Sequence, residues 1–189
     1  MTNPVLDAIR TRRMARAMTP QPIERAQLEA VLEAARWAPN AGNRRLHRFV
    51  TVQDPRTLRL LRVVSPGMFQ RPVAVVVICI DWDRVASFGM RSDTRGPHVD
   101  VGTLAQTMLL AAHSLGLGSG IVTSFSQAAV AQVLNLPERM SAELIVCLGY
   151  AAPAQPAPMR ARSPVTWQTL TDWERFPDRD SAGYAGRQP

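Results

Sequence analysis

The sequence predicts an α+β sandwich in which about four strands form one central sheet with long helices across it, and three observations carry that expectation. Residues 73–80 are an unbroken, largely β-branched run, which suits a strand buried on both faces. Residues 99–115 place Leu104, Met108, Ala111 and Ala112 on one helical face, and Gly116 supplies a stop. Helical and strand patterns then alternate as α-α-β-α-β-α-β-α-β, with no G-x-G-x-x-G after the first strand, so a Rossmann dinucleotide site is not supported.

In chain order, Asn3 followed by Pro4 is a helix start, with Val5, Leu6 and Ile9 as apolar positions. A second helix from about Ile23 carries Leu28, Val31, Leu32 and Ala35 and ends before Pro39. Residues 40–43 are a loop, and residues 47–53 alternate as a strand. Asp54 and Pro55 open a short helix over Leu58, Leu61 and Arg62. Residues 90–97 are polar, contain glycine and read as a mobile loop. A short strand over 119–124, a helix capped by Ser126 through Leu134, and a buried strand over 142–148 complete the domain. Residues 151–158 are rich in Pro and Ala and are not expected to pack. The tail over 166–176 holds Trp167 and Trp173. Tryptophans on an arm without a core of its own need burial, and a partner subunit is the economical place. The expected division is therefore a domain over 1–165 and an arm over 166–189 that packs on a partner.

At 189 residues with 46% hydrophobic and 20% charged residues, the chain can bury a real core. Residues 2–7 show no basic-then-apolar leader and no apolar run could span a bilayer, so a cytoplasmic protein without membrane partners is expected. Cys79 and Cys147 sit in apolar runs and read as buried thiols. All 22 basic residues are arginines, giving a net charge of +7, and the absence of lysine rules out Schiff-base chemistry. Arginines cluster at 10–16, at 36–48 and at 160–162. A planar fork of donors suits phosphate, so three clusters suggest one anionic ligand held from several sides, or a nucleic-acid surface.

No catalytic side-chain set and no metal-ligand spacing stands out. His47, His98 and His113 are scattered, with His113 read as a packed helix residue, and H-E-x-x-H, C-x-x-C and G-x-S-x-G are absent. Asp81/Asp83 and Asp178/Asp180 are read as solvated loop or tail carboxylates. A bound cofactor is the expected carrier of any chemistry.

Four segments in order resemble the FMN-dependent nitroreductase family. Residues 12–16, R-R-M-A-R, resemble its phosphate motif R-R-S-x-R. Residues 34–43, A-A-R-W-A-P-N-A-G-N, resemble its A-A-R-W-A-P-S-A-G-N segment. Residues 100–118 resemble its long central helix, and 148–150 with the following Pro-rich stretch and Arg160-Ala161-Arg162 resemble its end.

The resemblance implies a homodimer with FMN in two clefts between subunits. Arg12, Arg16 and Arg162 would grip the phosphate, with Arg13, Met14 and Arg160 nearby. Pro39, Asn40 and Asn43 would lie against the isoalloxazine or ribityl chain from the partner, although both asparagines also suit turns. Val122, Thr123 and Ser124 match the stretch whose backbone N–H meets flavin N5, and Ser65 would approach the flavin edge. NAD(P)H is the implied co-substrate in a ping-pong reaction that passes electrons to a nitroaromatic, quinone or enone. Two departures stand out. Met14 replaces a serine hydroxyl, and Arg45-Leu46-His47 replaces a common Q-P-W, so Arg44 and Arg45 either favour an anionic substrate or the extra phosphate of NADPH, or form a solvated basic loop. The remaining readings are an FMN protein with other chemistry (dehalogenation, flavin fragmentation or dehydrogenation), a flavin-storing protein, and a basic nucleic-acid-binding domain. The last is disfavoured by the lack of aromatics interleaved with the arginines.

Overall fold

The run of β-branched residues becomes β2 (Ala74–Asp81), and every residue from Ala74 to Ile80 is buried. It pairs antiparallel with β1 (His47–Val52) on one side and β4 (Met140–Gly149) on the other. β3 (Gly118–Val122) adds antiparallel to β4, so the sheet order is β1-β2-β4-β3. The computed structural model describes residues 3–156 and 165–175, in two units that divide between 156 and 157.

Alternation along β2 builds two cores. Val76, Ile78 and Ile80 face α2 (Arg25–Arg36) and α5 (Gly96–Ser114). Val75, Val77 and Cys79 point the other way, toward the side that holds α3 (Pro55–Val63) and α6 (Gln127–Val133). On β4, Leu144, Val146 and Leu148 join the first core and Ala142, Ile145 and Cys147 the second. The register shifts between Ile78 and Cys79, which pair with Leu144 and Ala142, so Glu143 is the extra residue of a bulge. Both cysteines are free and buried, as expected.

The helices start and stop for local reasons. Asn3 accepts from the Val5 and Leu6 N–H groups at the head of α1 (Pro4–Thr11). Asp54 caps α3 through Thr57 N–H at 2.8 Å, and Ser126 caps α6. α5 ends at Gly116, whose φ of 74° lets Leu117 N–H reach the Ala112 carbonyl at 2.8 Å.

Three expectations need correction. α5 begins at Gly96, so the supposed loop over 90–97 ends inside a helix and Pro97 is buried. Residues 82–87 form a short helix, α4 (Trp82–Ser87), capped by Asp81, which also pairs with Arg48 at 3.3 Å. Residues 151–156 do pack, because Ala151 bridges to Met18 and Gln155 hydrogen-bonds Arg16 and Ala17. No described helix is long and apolar enough to cross a membrane. In the second unit, a 3₁₀ turn over Trp167–Leu170 sets the Trp167 ring edge-on to Trp173, 6.4 Å between centroids.

Candidate functional site

After α1 the chain runs along the sheet edge and is fixed there by backbone bonds. Met14 bridges to Ser119 of β3, Ala15 N–H donates to the Ser119 carbonyl at 2.8 Å, and Thr19 N–H donates to Tyr150 at 2.8 Å. The Gln155 amide clamps the same segment, accepting from Arg16 N–H at 2.8 Å and donating to the Ala17 carbonyl at 2.8 Å. The approach is close enough to need glycine. A Cβ on Gly120 would sit 2.9 Å from the Gln70 amide and 3.2 Å from the Ala15 carbonyl. The result is a cavity of about 180 Å³ where Met14, Ala15 and Arg16 meet Gly67, Phe69 and Thr123. Gly67 N–H donates to the Ser124 carbonyl at 2.9 Å, so the end of β3 is anchored beside the arginine turn.

The arginines of that turn differ. Arg13 folds back and donates to the Arg10 carbonyl, and to the Arg12 carbonyl at 3.0 Å, where the last carbonyls of α1 lack partners. Arg16 is exposed. Arg12 carries a buried Nη1 without a hydrogen-bond acceptor among the described residues. Thr19 Oγ1, His47 Nδ1 and Ser65 Oγ are buried and unpartnered too, but Arg12 alone among them carries a full, fixed charge. Burial, with Arg48 and Arg45 nearby, holds His47 below its ordinary pKa. Met14 is half-buried, packs on the α2–α5 core and offers the cavity an apolar wall in place of a hydroxyl. His113 packs as expected, with Nε2 3.0 Å from Thr11 Oγ1.

Pro39, Asn40 and Asn43 form a second cluster around the turn over Ala41–Asn43. The Pro39 carbonyl accepts from Thr103 Oγ1 at 2.9 Å, and Ala41 N–H donates to both Asp100 oxygens at 3.0 and 3.2 Å. Asn40 acts as a turn former, its Oδ1 accepting from Arg45 N–H at 3.1 Å. Arg44 is engaged, lying 4.9 Å from the Phe88 ring with Nη1 3.4 Å from the Met90 sulfur. Thr103 and His113 are ten residues apart on α5, roughly 15 Å along its axis. A single chain therefore holds the arginine turn and the 39–43 loop at opposite ends of α5. Arg160 and Arg162 lie outside the described residues. Asp83 pairs with Arg139 at 2.6 Å, while Asp178 and Asp180 also fall outside.

Sequence reading missed Gly67, Gln70, Asp100, Thr103 and Gln155. Asp100 left a signal: it is a carboxylate in the apolar register of α5, four residues before Leu104. Gln155 left none, since its partners are 138 and 139 residues away.

The antiparallel sheet between helical layers carries at its edge a half-buried Arg12 with one nitrogen that meets no acceptor among the described residues. Comparisons with known proteins identify the family. The nitroreductase family profile matches residues 9–73 and 61–150. An NADH dehydrogenase of Thermus thermophilus is 29% identical over 184 residues, covering 80% of this chain and 90% of that protein. An NADPH-flavin oxidoreductase of Vibrio harveyi is 28% identical over 172 residues, covering 86% and 71%. Among solved structures, the Vibrio harveyi NADPH:FMN oxidoreductase complexed with NAD+ superposes with a TM-score of 0.77 at 26% identity, covering 93% of this chain and 79% of that one. The chain belongs to the nitroreductase family.

Proposed function

We propose that the chain is an NAD(P)H-dependent FMN oxidoreductase that reduces a small organic acceptor (a nitroaromatic, quinone or enone) by a ping-pong sequence, as a homodimer with FMN between subunits. The observation that carries the reading is Arg12, whose buried guanidinium donor lacks an acceptor and so calls for an anion. Arg16, exposed on the same turn, adds a second fork, and Arg160 and Arg162, outside the described residues, would add two more. Arg13 supports the turn by capping α1.

Thr123 and Ser124 present the end of β3 to the flavin. Pro39, Asn40 and Asn43 of the second copy complete the cleft. FMN, when bound, would supply the two-electron redox chemistry that the side chains lack. The protein's part is to bind, to orient and to set an electropositive surrounding for the reduced cofactor.

Exposed apolar surface supports the dimer. α1 buries no residue, and its Val5, Leu6 and Ile9 are exposed together with Val99 of α5. Trp167, Leu170 and Trp173 are exposed as well, which suits an arm that packs on the partner.

The test is the visible spectrum of the FMN-reconstituted protein, followed anaerobically while NADPH and then NADH are added. A bound-flavin spectrum bleaching within seconds is expected. Flavin that binds but stays oxidised with both would sink the nicotinamide reaction, and protein that binds no flavin would sink the cofactor assignment.

A further inference from the structure

The 39–45 loop has a conformation that its own residues explain only in part, through Asn40 Oδ1 accepting from the Arg45 N–H at 3.1 Å. Gly42, Asn43 and Arg45 all have left-handed backbone, with φ of 62, 53 and 50°. Asparagine tolerates that region; arginine adopts it at a cost. No residue from 39 to 45 is buried, so burial does not hold the loop in place. Polar bonds do: Arg84 Nε donates to the Arg44 carbonyl at 3.0 Å, and α5 holds the 39–41 end. Asp100, 5% exposed among Pro97, Val101 and Leu104, turns its carboxylate to the loop and accepts the Ala41 N–H on both oxygens. Thr103, nearly one turn later, has one hydroxyl proton within reach of both the Pro39 carbonyl and its own helix's Asp100 carbonyl. An apolar side chain would suit the Asp100 position better on burial alone. Desolvation indeed pushes its carboxyl above the ordinary range, while the Ala41 N–H pulls it back.

We propose that Asp100 is a positioning residue that, with Thr103, builds the 39–43 loop into its cofactor-facing shape before the cofactor arrives. This rests on the FMN reading above. α5 thereby carries the loop that serves one flavin on its first turns, while its far end packs against the turn that grips a flavin phosphate.

The test compares Asp100→Ala, Asp100→Asn and Thr103→Val in the full chain, by FMN fluorescence titration and by amide hydrogen exchange without flavin. Asp100→Ala is expected to weaken FMN about tenfold or more, and to speed exchange at Ala41 while amides over 104–112 keep their protection. Asp100→Asn keeps an acceptor oxygen and should stay within about threefold of wild type, with Thr103→Val between the two. Unchanged FMN affinity in Asp100→Ala would overturn the proposal. So would faster exchange along the whole of α5 with a matching drop in melting temperature, which marks a general structural role. If Asp100→Ala does not fold, Thr103→Val decides: unchanged FMN affinity and unchanged Ala41 exchange overturn the proposal. Wild-type protein that ignores FMN would sink the cofactor reading instead, and the exchange at Ala41 would still report whether Asp100 holds the loop.

Discussion

Arg12 and Arg13 are adjacent, chemically identical and used for opposite purposes. Arg13 satisfies carbonyls at the end of α1, and Arg12 buries a donor that the protein leaves unanswered. Replacing Arg12 by Ala should weaken FMN about thirtyfold, the scale of a charge-assisted bond. The flavin-free protein should melt no lower, because an unpartnered buried donor costs stability. Replacing Arg13 by Ala should leave FMN affinity within about threefold and lower the melting temperature through the frayed end of α1. Fluorescence titration beside thermal melts separates the two, and equal losses of affinity would show that the structural distinction is wrong. The motif R-R-M-A-R identifies these residues from sequence but cannot rank them. Where each guanidinium points depends on the backbone of the turn, which is set by Ser119 and Gln155 far along the chain. Asn40 illustrates the same limit, since both of its sequence-level roles were open and the structure shows its oxygen holding the turn.

At the level of elements, β2 and β4 each bury one thiol, and both thiols are pushed up from an ordinary 9.0 to about 12 by burial. A group whose pKa is raised by folding adds stability that is complete below its unfolded value and is lost as pH rises toward the folded one. Stability should therefore hold up to about pH 9 and then fall by about 1.4 kcal/mol per pH unit for each thiol. The window is unusually clean because the chain has no lysine. Urea melts from pH 8 to 11 check this, and a Cys79→Ala/Cys147→Ala protein should show a flatter decline; an equally steep one would mean that other groups govern it. These two strands were legible from their apolar runs, and α5 from its periodicity, because burial on a regular element leaves a periodic trace. α4 was not legible, since six residues hold too little pattern and it forms because Asp81 caps it. The docking of 151–156 was hidden for a different reason. Composition suggests a linker there, and the hydrogen bonds that hold it are long-range.

In the whole molecule, the two halves of the proposed site lie at opposite ends of one helix, roughly 15 Å apart along its axis. A two-fold dimer resolves this if the arginine turn of each subunit faces the 39–43 loop of the other, since an isologous interface brings unlike ends together twice. That geometry predicts complementation between two inactive variants. Arg12→Ala removes the phosphate grip and Asn40→Ala/Asn43→Ala spoils the loop, so each homodimer has two damaged sites. When the two proteins are mixed in equal amounts and allowed to exchange subunits, half of the dimers become mixed. In a mixed dimer one site collects both defects and the other collects neither. Roughly a quarter of all sites should then be intact, restoring about a quarter of wild-type flavin reduction by NAD(P)H. If both halves served one flavin within a single chain, every site would keep its defect and mixing would restore nothing. A sedimentation measurement on the same mixture shows that exchange has occurred, so a null result would count against the shared site and not against the mixing. The exposed Val5, Leu6 and Ile9 of α1 and Val99 of α5 would be covered in that dimer. Val99→Arg should then separate the subunits and abolish FMN binding together.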